Sequence, residues 1–303
     1  MAGLCEDRVC IVTGAGRGIG REHALLLAAE GASVVVNDLG GSPSGEGADA
    51  GPAHDVVEEI AAAGGDAVAN TDDISTWAGA EALIAGAVAT YGRVDVLINN
   101  AGILRDRMLA TMTEAEWDSV VKVHLKGTAG PSHFAAAHWR DRSKAGEADL
   151  QARLINTTSP SGIYGNVGQT NYGAAKAGIA SFTLIAADEL ARYGATANAI
   201  APAAITRLTA GLGGDTGAVP DDVAERLAPR WIASVVVWLA STESHGVTGR
   251  VFDVRGHELG VAEGWHIGPR VENDLDPSAL GPRMEELLAA ARPNADMDGA
   301  DRQ

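Results

Sequence analysis

Thr13-Gly14-Ala15-Gly16-Arg17-Gly18-Ile19-Gly20 decides how the rest of this 303-residue chain is read. The stretch follows an apolar run at residues 9–13 that has the length of a buried strand. It opens a segment, 20–30, whose apolar residues recur three and four apart, as in a helix. Glycines at such a junction let the backbone turn tightly and approach a phosphate, which the positive end of the helix then favours. Any tight turn can use glycine, so the weight lies on the position between strand and helix.

Working outward, apolar runs at 33–38, 67–70, 94–98, 153–157, 197–201 and 251–254 read as further buried strands. Segments 53–63, 76–91, 114–139, 172–193 and 229–240 read as the helices between them. Alternation of this kind predicts an α/β fold: a single Rossmann-type, doubly wound parallel sheet of about seven strands with helices on both faces. One domain is expected over 1–264. Residues 265–303 read as an extension with one helix, 279–291, and a disordered polar end containing Asn294, Asp296, Asp298 and Asp301. The glycine-rich stretch 40–51 reads as a surface loop. The stretch 208–220 reads either as a mobile lid or as a flexible connection.

Composition narrows the function classes. With 46% hydrophobic residues the chain can bury a large core, and its net charge of −17 would repel nucleic acid. The longest apolar stretch, 232–240, is too short to span a bilayer, so no membrane segment is expected. The first residues carry Glu6 and Asp7 and do not read as a secretory leader. Two cysteines, Cys5 and Cys10, form neither a disulfide framework nor a metal-type spacing. The expectation is a cytoplasmic chain that holds no metal.

Tyr172 and Lys176 stand four apart, on one face of a predicted helix, so both side chains can point at one spot. Tyrosine is a poor base at neutral pH, and a neighbouring cation favours its phenolate. The chain has only four lysines, which makes the pairing less a matter of chance. Asp38 ends the second strand about twenty residues past the glycine loop. A carboxylate there can accept from ribose hydroxyls and would repel a 2′-phosphate, which favours NAD over NADP. Arg17 weighs the other way, because a basic residue in the loop can serve a 2′-phosphate.

Gly14, Gly18 and Gly20 form the pattern TGxxxGxG, which resembles the short-chain dehydrogenase/reductase family. The resemblance implies roles for other positions. Arg17, Gly18 and Ile19 would meet the cofactor in the loop. Asp73-Ile74 would lie beside the adenine. Asn99-Asn100-Ala101-Gly102 matches the family's NNAG motif, which counts Asn99, Ala101 and Gly102 among the cofactor-binding residues: the small residues let the backbone reach the cofactor while Asn99 ties strands together. Ser159 would hydrogen-bond the reacting oxygen, with Ser161 as second candidate. Tyr172 would exchange the proton, and Lys176 would lower its pKa and hold the nicotinamide ribose. Thr206, after Pro202-Ala203 where the family has Pro-Gly, would grip the carboxamide. His124 stands where many members have asparagine, and reads either as part of a proton relay or as a packed helix residue.

Residues 37–41, 101–107, 123–125 and 161–166 are similar to one subgroup. It comprises the (3R)-hydroxyacyl-CoA dehydrogenase domains of type 2 peroxisomal multifunctional enzymes and the related type 4 17β-hydroxysteroid dehydrogenases. This likeness implies NAD-dependent oxidation of a 3-hydroxyacyl-CoA carrying a fatty or sterol side chain. Arg105, Arg107 and Arg207 are the candidates to meet CoA phosphates. Assembly as a homodimer or homotetramer through the fourth and fifth helices is also implied, although Ala135, Ala136, Ala137, Ala174 and Ala175 could equally pack on the chain's own sheet. Two alternatives remain in view. One is another alcohol or steroid dehydrogenase, or a 3-oxoacyl carrier-protein reductase. The other is a non-catalytic dinucleotide sensor.

Overall fold

A computed structural model describes residues 3–206, 220–273 and 275–302. The loop read at 208–220 and Arg207 therefore lie almost wholly outside the described residues.

The amino-terminal half alternates strictly: β1 (Val9–Thr13), α1 (Gly18–Ala29), β2 (Ser33–Asn37), α2 (Gly51–Ala62), β3 (Asp66–Asn70), α3 (Trp77–Tyr91) and β4 (Val96–Asn99). The chain then runs through α4 (Glu114–Val121), a π-helical turn at Lys122–Lys126, and α5 (Gly127–Lys144). There follow β5 (Ala152–Thr157), the short α6 (Pro160–Ile163), α7 (Thr170–Leu190), β6 (Ala195–Ala203), α8 (Asp221–Arg226), α9 (Arg230–Ala240), β7 (Val251–Arg255), β8 (Glu258–Val261) and α10 (Leu280–Ala290).

The sheet order is β3-β2-β1-β4-β5-β6-β7-β8. Seven strands are parallel and the eighth returns antiparallel along β7, pairing Val254 with Leu259. The expected seven thus become eight. Residues 258–261 are all exposed and carry no buried apolar alternation, so the local pattern of a half-buried strand is missing.

Each inner strand is buried on both faces. In β1, Cys10 and Val12 face the layer of α1, α2 and α9 with Leu27, Val56, Ile60 and Val236. Ile11 faces the layer of α3, α5 and α7 with Leu83, Trp139 and Leu190. That two-sided burial explains why the strands read as continuous apolar runs rather than alternating ones. Ala135 packs in the second layer and Ala175 against Ile103 and Val120, so both serve the chain's own core. On α7, Leu184 and Ile185 remain exposed.

The sequence reads one helix over 114–139, and the structure breaks it at Lys122–Lys126. A π turn inserts an extra residue without ending the apolar periodicity, so nothing local marks it. Its effect is to turn His124 inward. The neighbouring strands β1 and β4 send their crossovers to opposite sides, and the crevice at their carboxyl ends is where an α/β sheet binds ligands.

Candidate functional site

A cavity of about 540 Å³ occupies that crevice. One end is built by the glycine loop. Gly14 and Gly18 have φ of +65° and +57°, and a Cβ on Gly14 would stand 2.7 Å from the Ala101 Cα. α1 begins without a side-chain cap, and Gly18, Ile19 and Gly20 of its first turn line the cavity, a helix start of the kind that receives a phosphate. Asn100 clamps the loop from β4: its Nδ2 donates to the Thr13 and Gly14 carbonyls. Thr13 Oγ1 accepts from the Asn100 and Ala101 N–H groups.

Asp38 sits at the end of β2 with its carboxylate fixed by Gly16 N–H at 2.8 Å and Gly40 N–H at 2.7 Å. Arg17, Asp73, Ile74, Ala101, Gly102 and Thr206 line the same cavity. Asp73 is turned into the start of α3, where its Oδ1 accepts from the Ser75 N–H and hydroxyl. Asn99 does not line the cavity. Its amide is buried beneath the floor, donating to Ser132 Oγ and Asn156 Oδ1, both at 2.9 Å. This is the expected tie between neighbouring elements.

The other end of the cavity gathers Ser159, Tyr172, Lys176 and His124. Ser159 caps α6, accepting from Ser161 N–H at 3.1 Å, which points the hydroxyl across to α7. Gly162 lets α6 lie directly on α7, since a Cβ there would meet Lys176 Cβ at 2.6 Å. Asn171, fully buried, fixes the first turn of α7: it donates to the Arg105 and Glu116 carbonyls and accepts from Tyr172 N–H.

Lys176 is buried, and its Nζ donates to the Thr157 carbonyl at 2.6 Å while standing 5.6 Å from the Tyr172 ring centroid. Burial lowers its pKa to about 7. Burial also raises the Tyr172 phenol above its usual 10; the hydrogen bond with Ser159 pulls it down, and the Asp106 charge pushes it up. The sequence reading expects Lys176 to lower the tyrosine. Burial dominates here, and the Lys176 Nζ is turned to the Thr157 carbonyl.

His124 packs edge-on against Tyr172 with ring centroids 5.1 Å apart. Its Nε2 lies 3.1 Å from Ile103 N and 2.8 Å from Ile103 O. Burial, and secondarily the Lys176 charge, hold its pKa down at about 3, so the ring is neutral. Gly102 makes room for it: a Cβ would collide with His124 Cε1 at 2.4 Å. His124 Nδ1 and Thr157 Oγ1 are buried with no hydrogen-bond partner, two polar atoms left for a ligand or water at the cavity wall.

Several residues went unread in the sequence. Gln169 takes a hydrogen bond from Ser161 Oγ at 2.7 Å and gives one to Asp106 Oδ2 at 2.8 Å. The second joins segments 63 residues apart, and no local pattern announces it. Of the expected CoA-facing arginines, Arg105 lines the cavity and donates to Ser44 O at 2.7 Å, whereas Arg107 pairs with Glu116 at 3.0 Å.

The arrangement fits a dinucleotide. It offers an uncapped helix start behind glycines, a carboxylate at the neighbouring strand end, and the side chains of Ser159, Tyr172 and Lys176 gathered at the far end. The family model described as short chain dehydrogenase matches residues 8–212. Hydroxyacyl-CoA dehydrogenase ChsB1 of Mycobacterium tuberculosis is 43% identical, over 98% of this chain and 93% of its own length. Peroxisomal multifunctional enzyme type 2 of Drosophila melanogaster is 44% identical over 80% of this chain and 38% of its own. The crystal structure of a short chain dehydrogenase from Mycobacterium avium superposes with a TM-score of 0.86 at 49% identity, covering 97% of this chain and 99% of that one.

Proposed function

The chain belongs to the short-chain dehydrogenase family, and from that premise we propose that it oxidises a (3R)-hydroxyacyl-CoA to the 3-oxoacyl-CoA with NAD. The observation that carries this reading is one continuous cavity with the glycine loop and Asp38 at one end and Ser159, Tyr172 and Lys176 at the other.

In this reading Ser159 donates a hydrogen bond to the substrate oxygen and orients it. Tyr172 takes the hydroxyl proton as the C–H bond breaks, and gives it back in the reverse direction. NAD, when bound, supplies the hydride acceptor and a positive ring that favours the phenolate. Lys176, held on the Thr157 carbonyl, is placed to reach the ribose beside that ring. His124, neutral across the working pH range, supports the Tyr172 ring and offers Nδ1 to a water; it does not itself carry a full positive charge. The thioester class is supported by the printed activity of the Mycobacterium tuberculosis relative, which is similar along nearly the whole chain. Free, buried Cys5 and Cys10 suit a reducing compartment such as the cytoplasm, and no described helix is long and apolar enough to cross a membrane.

The test is reduction of NAD or NADP by purified protein with separate (3R)- and (3S)-hydroxyacyl-CoA substrates. NAD-linked turnover of the (3R) series is expected. Absence of thioester turnover, with nucleotide binding intact, would redirect the search to free alcohols and steroids.

Asp38 carries the choice of NAD. Its carboxylate is locked by Gly16 and Gly40 and cannot swing away from a 2′-phosphate. Like-charge contact costs several kcal/mol, so Asp38→Ala should lower the NAD:NADP ratio of kcat/KM by about 100-fold. A ratio that does not move would show that another group makes the choice.

A further inference from the structure

The far wall of the cavity includes Met297, from the chain end that the sequence reads as disordered. That end is ordered by contacts no local pattern reveals. Asp296 Oδ1 accepts from the N–H groups of Asp298 and Ala300, closing a turn with Gly299 at φ +79° and an antiparallel bridge between Ala295 and Asp301. The turn is fastened to the body at two places. Arg255, on β7, gives Nη1 to Asp298 Oδ1 at 2.9 Å and Nη2 to the Met297 carbonyl at 2.5 Å. Arg302 gives Nη2 to the Tyr164 carbonyl at 2.6 Å and Nε to Ala295 O at 2.9 Å. Gly299 lies against the Tyr164 hydroxyl, and a Cβ there would stand 3.4 Å away.

Tyr164 directly follows α6, the helix that Ser159 caps. The tail is therefore seated on the substrate side of the reacting groups, away from the glycine loop and Asp38. We propose that Met297 is a specificity-determining residue, forming the wall against which the acyl group of the substrate packs. This rests on the thioester reading above. Two arms extend from the reacting carbon of such a substrate, one acyl and one leading to the CoA phosphates. The cations beside Met297 are already committed, Arg255 to Asp253, Asp298 and the Met297 carbonyl, Arg302 to the Ala295 and Tyr164 carbonyls and Arg292 to Asp301, which suits this wall poorly to phosphates. An unbranched thioether suits an apolar chain or ring, since it adapts its rotamers to fill an irregular gap.

The test compares kcat/KM for (3R)-hydroxybutyryl-CoA with that for a long-chain and a ring-bearing hydroxyacyl-CoA, in wild type, Met297→Ala and Met297→Phe. Shortening the side chain should raise the ratio of bulky to short substrate about 10-fold, and the larger ring should lower it by a similar factor. Asp298→Asn, which weakens the clamp on Arg255 without touching the cavity wall, should shift the ratio in the same direction as Met297→Ala. Thermal melting of each variant checks that the fold is retained. A wild-type protein that turns over these thioesters, with the same ratio in both Met297 variants, would overturn this inference alone. A wild-type protein that turns over none of them overturns the thioester reading, and this inference with it.

Discussion

Tyr172→Phe should lower kcat/KM for hydroxyacyl-CoA oxidation by about 10²–10⁴-fold, the range for losing a positioned acid–base group, while leaving the fold and nucleotide affinity nearly unchanged. The asymmetry follows from what the ring and the hydroxyl each do. The ring packs with Ile103, Val120 and Ala175 and edge-on against His124, and phenylalanine keeps all of that. The hydroxyl is the only group removed. Its partner Ser159 stays satisfied through Ser161 N–H, so the change in stability should be within about 1 kcal/mol. Steady-state kinetics, a nucleotide titration and a melting curve on the same preparation separate the effects. Retained turnover would move the proton transfer to another group. Lost nucleotide binding would mean that Tyr172 holds the cofactor rather than the proton.

The parts of this site that could be read in advance are those whose chemistry is local in sequence. The glycine loop is legible because a strand, a turn and a helix start must follow one another, and Gly14 and Gly18 hold backbone angles that side-chain-bearing residues rarely adopt. Tyr172 and Lys176 are legible because four residues make one turn of α7. The inner strands are legible because two-sided burial leaves continuous apolar runs. What could not be read depends on contacts between distant segments. The π turn that aims His124 at Tyr172 keeps helical periodicity on either side. The order of the tail rests on Arg255 reaching Asp298 and Arg302 reaching Tyr164, 43 and 138 residues away, so the Asp-rich composition pointed to disorder. Asn99 is a related case. The motif groups it with the cofactor-binding residues, and its bonds to Ser132 and Asn156, 33 and 57 residues on, which hold its amide beneath the floor, have no local signal.

Lys176→Met should abolish most turnover and at the same time change how stability depends on pH. Burial brings the Lys176 pKa to about 7, against the ordinary 10.5 it regains on unfolding. Between pH 7 and about 10 the unfolded chain therefore binds more protons at this position than the folded one, and this group makes stability rise with pH. Below pH 7 both states are charged, and the full cost of burying the ammonium is present. At about 1.4 kcal/mol per pH unit the interval amounts to a few kcal/mol, a large share of a typical folding free energy. Methionine removes the charge. It also leaves the Thr157 carbonyl without its donor, a penalty of about 1–3 kcal/mol that does not vary with pH. The stability of the variant relative to wild type should then be greatest near pH 6 and decline as pH rises toward 10. The raised Tyr172 pKa acts only above pH 10 and is common to both proteins. Urea unfolding at pH 6.5 and 9.5 measures this difference, and kcat/KM should fall at least about 100-fold as proton exchange and ribose binding lose the Lys176 amine. A stability difference that does not vary with pH would mean Lys176 is not buried as a titrating amine. Turnover surviving in the methionine variant would mean the site moves its proton without a lysine, and that the burden this residue places on the fold serves no catalytic end.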